Sequence, residues 1–193
     1  MRKKIITIAG KLGSGKSSTA KKVAKMLNLE HFSSGDFLRK IAKERGMSIK
    51  ELMIAAESDP SIDYDIDNLL KSMKNKENIV IDSRLAYHWI PDSFKVYLEI
   101  DPDIAAKRMF YDLETNESRM ESEHTKNIEE MKREMVERHE SDKRRYQKLY
   151  GIDHTDHKNF DLVINTGLPE NDLKTVVKKI ISEYMKVCVD SKC

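Results

Sequence analysis

The chain is short of several residue types, and each shortage removes a class of protein. Only two cysteines, Cys188 and Cys193, occur among 193 residues. They sit near the carboxyl end, after the last helical pattern, with little framework for a disulfide or metal role, so the sequence predicts a reducing, cytoplasmic setting. The four prolines make no proline-rich linker, and no internal repeat is present. No apolar stretch approaches the roughly 20 residues that span a bilayer. The basic start Met1-Arg2-Lys3-Lys4 is followed by only a short apolar run before Gly10, too little for a secretion signal. Neither sign of charge dominates: 35 Lys and Arg are interspersed with 33 Asp and Glu, a formal net charge of +2. The basic footprint of a nucleic-acid binder is therefore missing. The histidines give no metal signature, since His154 and His157 stand three apart without a third ligand at recognisable spacing. Asp63, Asp65 and Asp67 begin like a calcium loop, but Asn68 stands where glycine is needed and Lys74 where the bidentate glutamate belongs, which excludes calcium there.

What is present is concentrated near the amino terminus. Gly10-Lys11-Leu12-Gly13-Ser14-Gly15-Lys16-Ser17, with Ser18 next in line, fits G-x-x-x-x-G-K-[ST], a loop that cradles the phosphates of a nucleoside triphosphate. Its flanks carry the assignment. Ile5-Ile6-Thr7-Ile8-Ala9 reads as a buried strand, and Ala20, Val23, Ala24 and Leu27 recur at helical spacing against Lys21, Lys22 and Lys25. Strand, glycine loop and helix thus follow in the required order. Backbone N–H groups and the helix amino terminus favour an anion there. Lys16 is expected to reach the β- and γ-phosphates, and the Ser17 hydroxyl to ligate Mg²⁺.

Further strands are predicted at 78–82, 94–100 and 160–165, with a shorter one at 30–33. Helical patterns fill the intervals, so the expected architecture is α/β: a five-stranded parallel sheet covered by helices on both faces, three layers in one domain. Ligands of such sheets bind beyond the carboxyl ends of the strands. That rule singles out Ser33-Ser34-Gly35-Asp36 and Asp82-Ser83-Arg84. The stretch from Phe110 to Glu140 is strongly polar and poor in branched apolar residues, and reads as exposed helices forming a lid.

Three charged constellations follow. Asp36 and Arg39 lie in the first turns of a helix that Ser33 or Ser34 can cap, and serve either as a phosphate grip or as a local ion pair. Arg84 follows a strand end and faces the ligand crevice, while Asp82 beside it suits either a magnesium-bound water or a helix cap. Arg138, Asp142 and Arg145 share one helical face, either as two guanidinium groups around a carboxylate for a phosphate or as an exposed salt-bridged surface. Asp63 and Asp67 also share a face, either solvated or as acceptors for a substrate hydroxyl or amino group, with solvation expected for at least one. Tyr87 and Trp89 are expected in the core.

Taken together, Gly10 to Ser17, Ser34-Gly35-Asp36 with Arg39, 42–48, Asp59-Pro60-Ser61-Ile62-Asp63 with Ile66-Asp67, Asp82-Ser83-Arg84-Leu85-Ala86, Arg138 to Tyr146 leading into Tyr150-Gly151-Ile152-Asp153, and 161–166 resemble the cytidylate kinases, especially their short archaeal form, over nearly the whole chain. The resemblance implies a P-loop nucleoside monophosphate kinase fold, with a nucleotide-binding insertion at about 34–76 and a lid at about 110–140. It also implies transfer from ATP, with Mg²⁺, to CMP or dCMP. Lys16 and its loop would hold ATP. Asp36, Arg39, Arg84, Arg138, Asp142 and Arg145 match acceptor-site positions, and Lys16, Arg138 and Arg145 would neutralise charge during transfer. Ser17 and Asp82 would serve the metal. The chain departs from the pattern at Asp82-Ser83, where a glycine usually precedes the arginine, and in a longer lid, which leaves the lid arginine open among Arg108, Arg119 and Arg133. Small nucleotides, acting on a monomer, are the expected partners, with neither nucleic acid nor membrane. UMP, another monophosphate or dephospho-coenzyme A as acceptor, and a non-catalytic nucleotide-binding regulator, are the competing readings.

Overall fold

The computed structural model describes residues 5–113 and 125–190. Five parallel strands, β1 (Ile5–Gly10), β2 (Glu30–Ser33), β3 (Ile79–Asp82), β4 (Phe94–Glu99) and β5 (Leu162–Asn165), pair in the order β2-β3-β1-β4-β5. β1 is buried at every residue because it lies between two partners and under helices on both faces. This is why its sequence is a continuous apolar run and not an alternation. The helices are α1 (Lys16–Leu27), α2 (Ser34–Glu44), α3 (Ile49–Ser58), α4 (Ser61–Ser72), α5 (Ala86–Trp89), α6 (Pro102–Leu113), α7 (Ile128–Tyr150) and α8 (Leu173–Asp190).

Two apolar layers sandwich the sheet. Ile6, Ile8, Val80 and Leu98 pack against Val23 of α1 and Val176, Val177 and Ile180 of α8. On the other face Ile5, Ile79 and Ile81 meet Leu70 of α4 and Ile90. Between β2 and β3, helices α2 to α4 enclose their own small core of Leu38, Leu52, Met53 and Ile62. A Ser48–Glu51 capping box starts α3, two reciprocal hydrogen bonds that the sequence spells out locally.

Two expectations from sequence need correction. The polar stretch before Glu140 is not a wholly exposed surface: Met131 and Met135 of α7 are buried against Met109 and Ile100. Methionine's flexible thioether fills such gaps, so counting only branched apolar residues understated this core. Helix α8 also continues to Asp190, which puts Cys188 within it and not beyond it. Among the described residues no helix is long and apolar enough to cross a membrane.

The register brings the chemistry to one end. Ser33 of β2 and Ile8 of β1 both align with Asp82 of β3, so the turns leaving these three strands open side by side.

Candidate active site

The glycine loop begins where β1 meets β4. Gly10 has φ 143°, and a Cβ there would lie 2.2 Å from the Leu98 carbonyl oxygen, a distance that no side chain survives. Gly13 turns at φ 73° with α6 close by, where a Cβ would come within 2.8 Å of Ala105. Gly15, with left-handed backbone, caps α1 without a side-chain acceptor, which leaves the first-turn N–H groups suited to an outside anion. Lys16 Nζ folds back over the loop and donates to the Lys11 carbonyl at 2.7 Å. Lys11 itself pairs with Glu99 at the end of β4.

Ser17 Oγ donates to Asp82 Oδ2 at 2.5 Å, and Ser33 Oγ reaches the same oxygen at 3.3 Å. Ser33 also caps α2 by accepting from the Asp36 N–H, which settles the choice between Ser33 and Ser34. Ser17 and the Asp82 carboxylate are hard oxygen donors at one point beside the loop, the chemistry that Mg²⁺ takes. Ser18 is exposed on the first turn of α1.

The arginines expected on the acceptor side are held by resident carboxylates. Arg39 Nη2 donates to Asp36 Oδ1 at 2.6 Å. Arg84 Nε pairs with Asp142 Oδ2 at 3.0 Å. Arg145 is fully engaged: Nε donates to Asp63 at 2.8 Å, Nη1 to Ser141 at 2.7 Å and Nη2 to Asp142 at 2.9 Å. A chain of alternating charge, Asp63–Arg145–Asp142–Arg84, therefore runs from α4 through α7 to the end of β3. Burial acts to raise the Asp142 carboxyl, but Arg84, Arg145 and Arg138 together outweigh it and hold the group below the usual carboxylate range. Arg84 Nη2 in this chain of charges, and Arg39 Nε on α2, are buried donors without a hydrogen-bond partner among the described residues. Buried guanidinium nitrogens are rarely left so; Arg84 belongs to the turn that leaves β3 and Arg39 to the second turn of α2, which follows β2.

Asp63 and Asp67 are 5% and 2% exposed, which overturns the expected solvation of at least one of them. Burial pushes both carboxyls up, offset in part by Arg145 for Asp63 and by Tyr150 and Trp89 for Asp67. Trp89 is thus more than packing, since its Nε1 donates to Asp67 at 2.8 Å, whereas Tyr87 lies in the core as expected. The Arg138–Asp142–Arg145 face of α7 likewise points inward and is not a solvated surface.

His154 sits behind this cluster, 4% exposed, edge-on to Tyr146. Burial, followed by the Arg84 charge, pushes its imidazole down to about 4. The folded protein then binds fewer protons than the unfolded chain between about pH 6.5 and 4. The stability is fully present above that window and is lost as pH falls through it, by about 2 kcal/mol at pH 5. Replacing His154 by Phe should remove this part of the loss, a difference of about 5 °C in the Tm shift between pH 7 and pH 5. An unchanged pH slope in thermal melts would refute the assignment.

Sequence reasoning did not resolve Arg108, whose Nη2 donates to the Thr166 carbonyl at 2.9 Å. Thr166 Oγ1 in turn lies 3.1 Å from the Ser14 carbonyl of the glycine loop. Arg108 is therefore linked through Thr166 to the glycine loop. Thr166 follows the end of β5, where the strand-end rule could have found it. Arg119 lies outside the described residues, and Arg133 is exposed on α7. A cleft of about 370 Å³ separates α3 from α7, lined by Met53, Met109, Met135 and Arg138, with Leu12 of the glycine loop at its edge. Two ion pairs join its walls, Lys50–Glu134 and Arg144–Glu57.

Comparison with known proteins bears on this arrangement. The cytidylate kinase-like family matches residues 5–168. A cytidylate kinase of Methanothrix thermoacetophila is 37% identical over 163 residues, covering 84% of this chain and 88% of its own length. One from Archaeoglobus fulgidus is 36% identical over 191 residues, 97% of this chain and 99% of that one. Among solved structures, shikimate kinase from Acinetobacter baumannii in complex with shikimate superposes with a TM-score of 0.60 at 14% identity, over 94% of this chain and 93% of that one, a likeness of fold.

Proposed function

Because the chain belongs to the cytidylate kinase-like family, we propose that it transfers the γ-phosphoryl group of ATP to CMP or dCMP, giving ADP and the pyrimidine diphosphate. The observation that carries this reading is the pair of buried, unsatisfied guanidinium nitrogens on Arg84 and Arg39 beside a glycine loop. They are donors for a second phosphate, next to a site for the first. The reading describes a monomeric, cytoplasmic enzyme acting on small nucleotides.

The chain's part in the reaction is mainly alignment and charge neutralisation. The acceptor phosphate has a second pKa near 6, so at pH 7 its oxygen is already ionised and no general base is required. Arg39 and Arg84 hold that phosphate and set the attacking oxygen toward the γ-phosphorus. The loop N–H groups and Lys16 hold the triphosphate. To reach it, Lys16 exchanges the Lys11 carbonyl for a phosphate oxygen. Ser17 and Asp82 would hold Mg²⁺, which when bound supplies positive charge to the triphosphate. Arg138 on α7 neutralises charge that spreads over the transferring group. The β–γ bond breaks as the new P–O bond forms, and ADP leaves without a covalent enzyme intermediate.

The test is ADP release with ATP and Mg²⁺ against CMP, dCMP, UMP, AMP and dephospho-coenzyme A. Stimulation by CMP or dCMP above the rest is expected. Stimulation by dephospho-coenzyme A alone would reassign the acceptor, and no stimulation by any of them would sink the reading.

A further inference from the structure

The glycine-loop pattern asks for one lysine, at its end, and leaves the residue after the first glycine open. Here that residue is Lys11, a second cation in the loop. Its ammonium turns away and pairs with Oε1 of Glu99, the last residue of β4. Glu99 Oε2 lies 3.2 Å from His157 Nε2, and the Ile100 N–H donates to Oε1 at 3.3 Å. The pair is not needed to seat the loop. The Lys11 N–H already donates to the Leu98 carbonyl at 3.1 Å, and Thr166 Oγ1 lies 3.1 Å from the Ser14 carbonyl. The pair also parts easily: the two side chains are 34% and 22% exposed, and ion pairs that water reaches are worth little. Glu99 keeps His157 and the Ile100 N–H when the ammonium leaves. The Asp63–Arg145 pair, 6% and 5% exposed, is the contrary case, since parting it strands buried charge.

We propose that Lys11 is a second triphosphate-contacting cation of this loop, and that Glu99 holds its ammonium off the phosphates until the nucleotide binds. The inference rests on the kinase reading above and adds a side chain to that same site. Lys11 is tied at both ends, its ammonium by Glu99 and its carbonyl by Lys16 Nζ at 2.7 Å. A triphosphate that draws Lys16 to itself releases that carbonyl, so both lysines change partners at one place. A flexible four-carbon stem carries a compact point charge, able to swing from one anionic oxygen to another, and a triphosphate carries more negative charge than a carboxylate. The position also fits. Burial first, then the charges of Arg84 and Lys11, push the His139 imidazole down against Asp142 and Glu140. The ammonium therefore stands near the same stretch of α7 as the Arg84 guanidinium, where the kinase reading brings the two phosphates together. Glu99 acts in this scheme as a positioning residue. It weakens nucleotide binding by what the pair is worth, an effect that a purely structural pair would not have.

Binding of the non-hydrolysable β,γ-imido analogue of ATP, with Mg²⁺, to the full-length protein is the test, read by calorimetry. Glu99→Gln is expected to tighten binding about fivefold, the scale of an exposed ion pair. Lys11→Met is expected to weaken it about tenfold, the scale of a charge-assisted hydrogen bond. In the Lys11→Met background, Glu99→Gln should change the affinity by less than about twofold, because the two residues act through each other. If both single variants weaken binding, the pair only braces the loop and the proposal is overturned. Equal tightening by Glu99→Gln with and without Lys11 would make Glu99 a bare repelling charge, and overturns it as well. Should Glu99→Gln not fold, Glu99→Asp answers in its place, keeping the charge but drawing it back by one methylene. Tighter binding is again expected, and weaker binding overturns the proposal. A wild-type protein that binds no nucleotide fails the kinase reading itself, a result distinct from these.

Discussion

Replacing Arg84 by alanine is expected to lower kcat/KM for CMP about a thousandfold while KM for ATP changes less than threefold. The guanidinium lies at the end of β3 with Nη2 unsatisfied and Nε on Asp142, so the substitution removes a preset donor and leaves a buried carboxylate with one fewer partner. Truncating one member of a buried, hydrogen-bonded charge pair costs about 2 to 5 kcal/mol, and a thousandfold loss is about 4 kcal/mol. Asp142 keeps Arg145 on its other oxygen, which limits the loss of stability and lets the variant fold. Arg84→Lys keeps the charge but not the fork, and should recover part of the rate. Initial-rate kinetics with both substrates varied decide the matter: equal rises in the two KM values would place Arg84 outside the acceptor half.

The second large effect is expected at Lys16. Lys16→Met preserves the length of the side chain and should lower kcat by a factor on the order of a thousand or more, since the cation at this loop acts on charge that develops during transfer. Its Nζ donates to the Lys11 carbonyl, a partly buried hydrogen bond whose loss costs about 1 kcal/mol, so a near-normal Tm is expected beside a near-dead enzyme. Single-turnover experiments at saturating ATP separate the roles. If only the ATP requirement rose and the transfer step kept its rate, Lys16 would contribute uniform binding and nothing specific to the transition state.

Much of this arrangement was legible from local pattern. The glycine loop declares itself because its strand, turns and helix are contiguous, and Gly10 and Gly13 are explained by the close approach of Leu98 and Ala105. The 30–33 strand and the cap on α2 followed from neighbours in sequence. What the pattern could not supply was what each face meets. Helical spacing put Arg138, Asp142 and Arg145 on one side of α7, yet the partner that removes Arg145 from solvent, Asp63, lies 82 positions away. Asp67 and Tyr150 are 83 apart, and Arg108 and Thr166 are 58 apart. Periodicity names a face, and only tertiary packing says whether water or an opposite charge covers it. Met131 and Met135 were missed for a related reason: methionine packs well but stands out in no strand or helix pattern.

The strand order also has a consequence for how the protein is made. Among the described residues β1 pairs with β3 and β4, so this strand has no sheet neighbour until residues 79–82 exist. At about 5 to 20 residues per second, the segment that becomes the triphosphate loop waits several seconds as an apolar ribbon. It pairs late and across a long separation, the kind of contact that slows folding. Shielding Ile5 to Ala9 during that interval is therefore expected to raise the yield of folded protein.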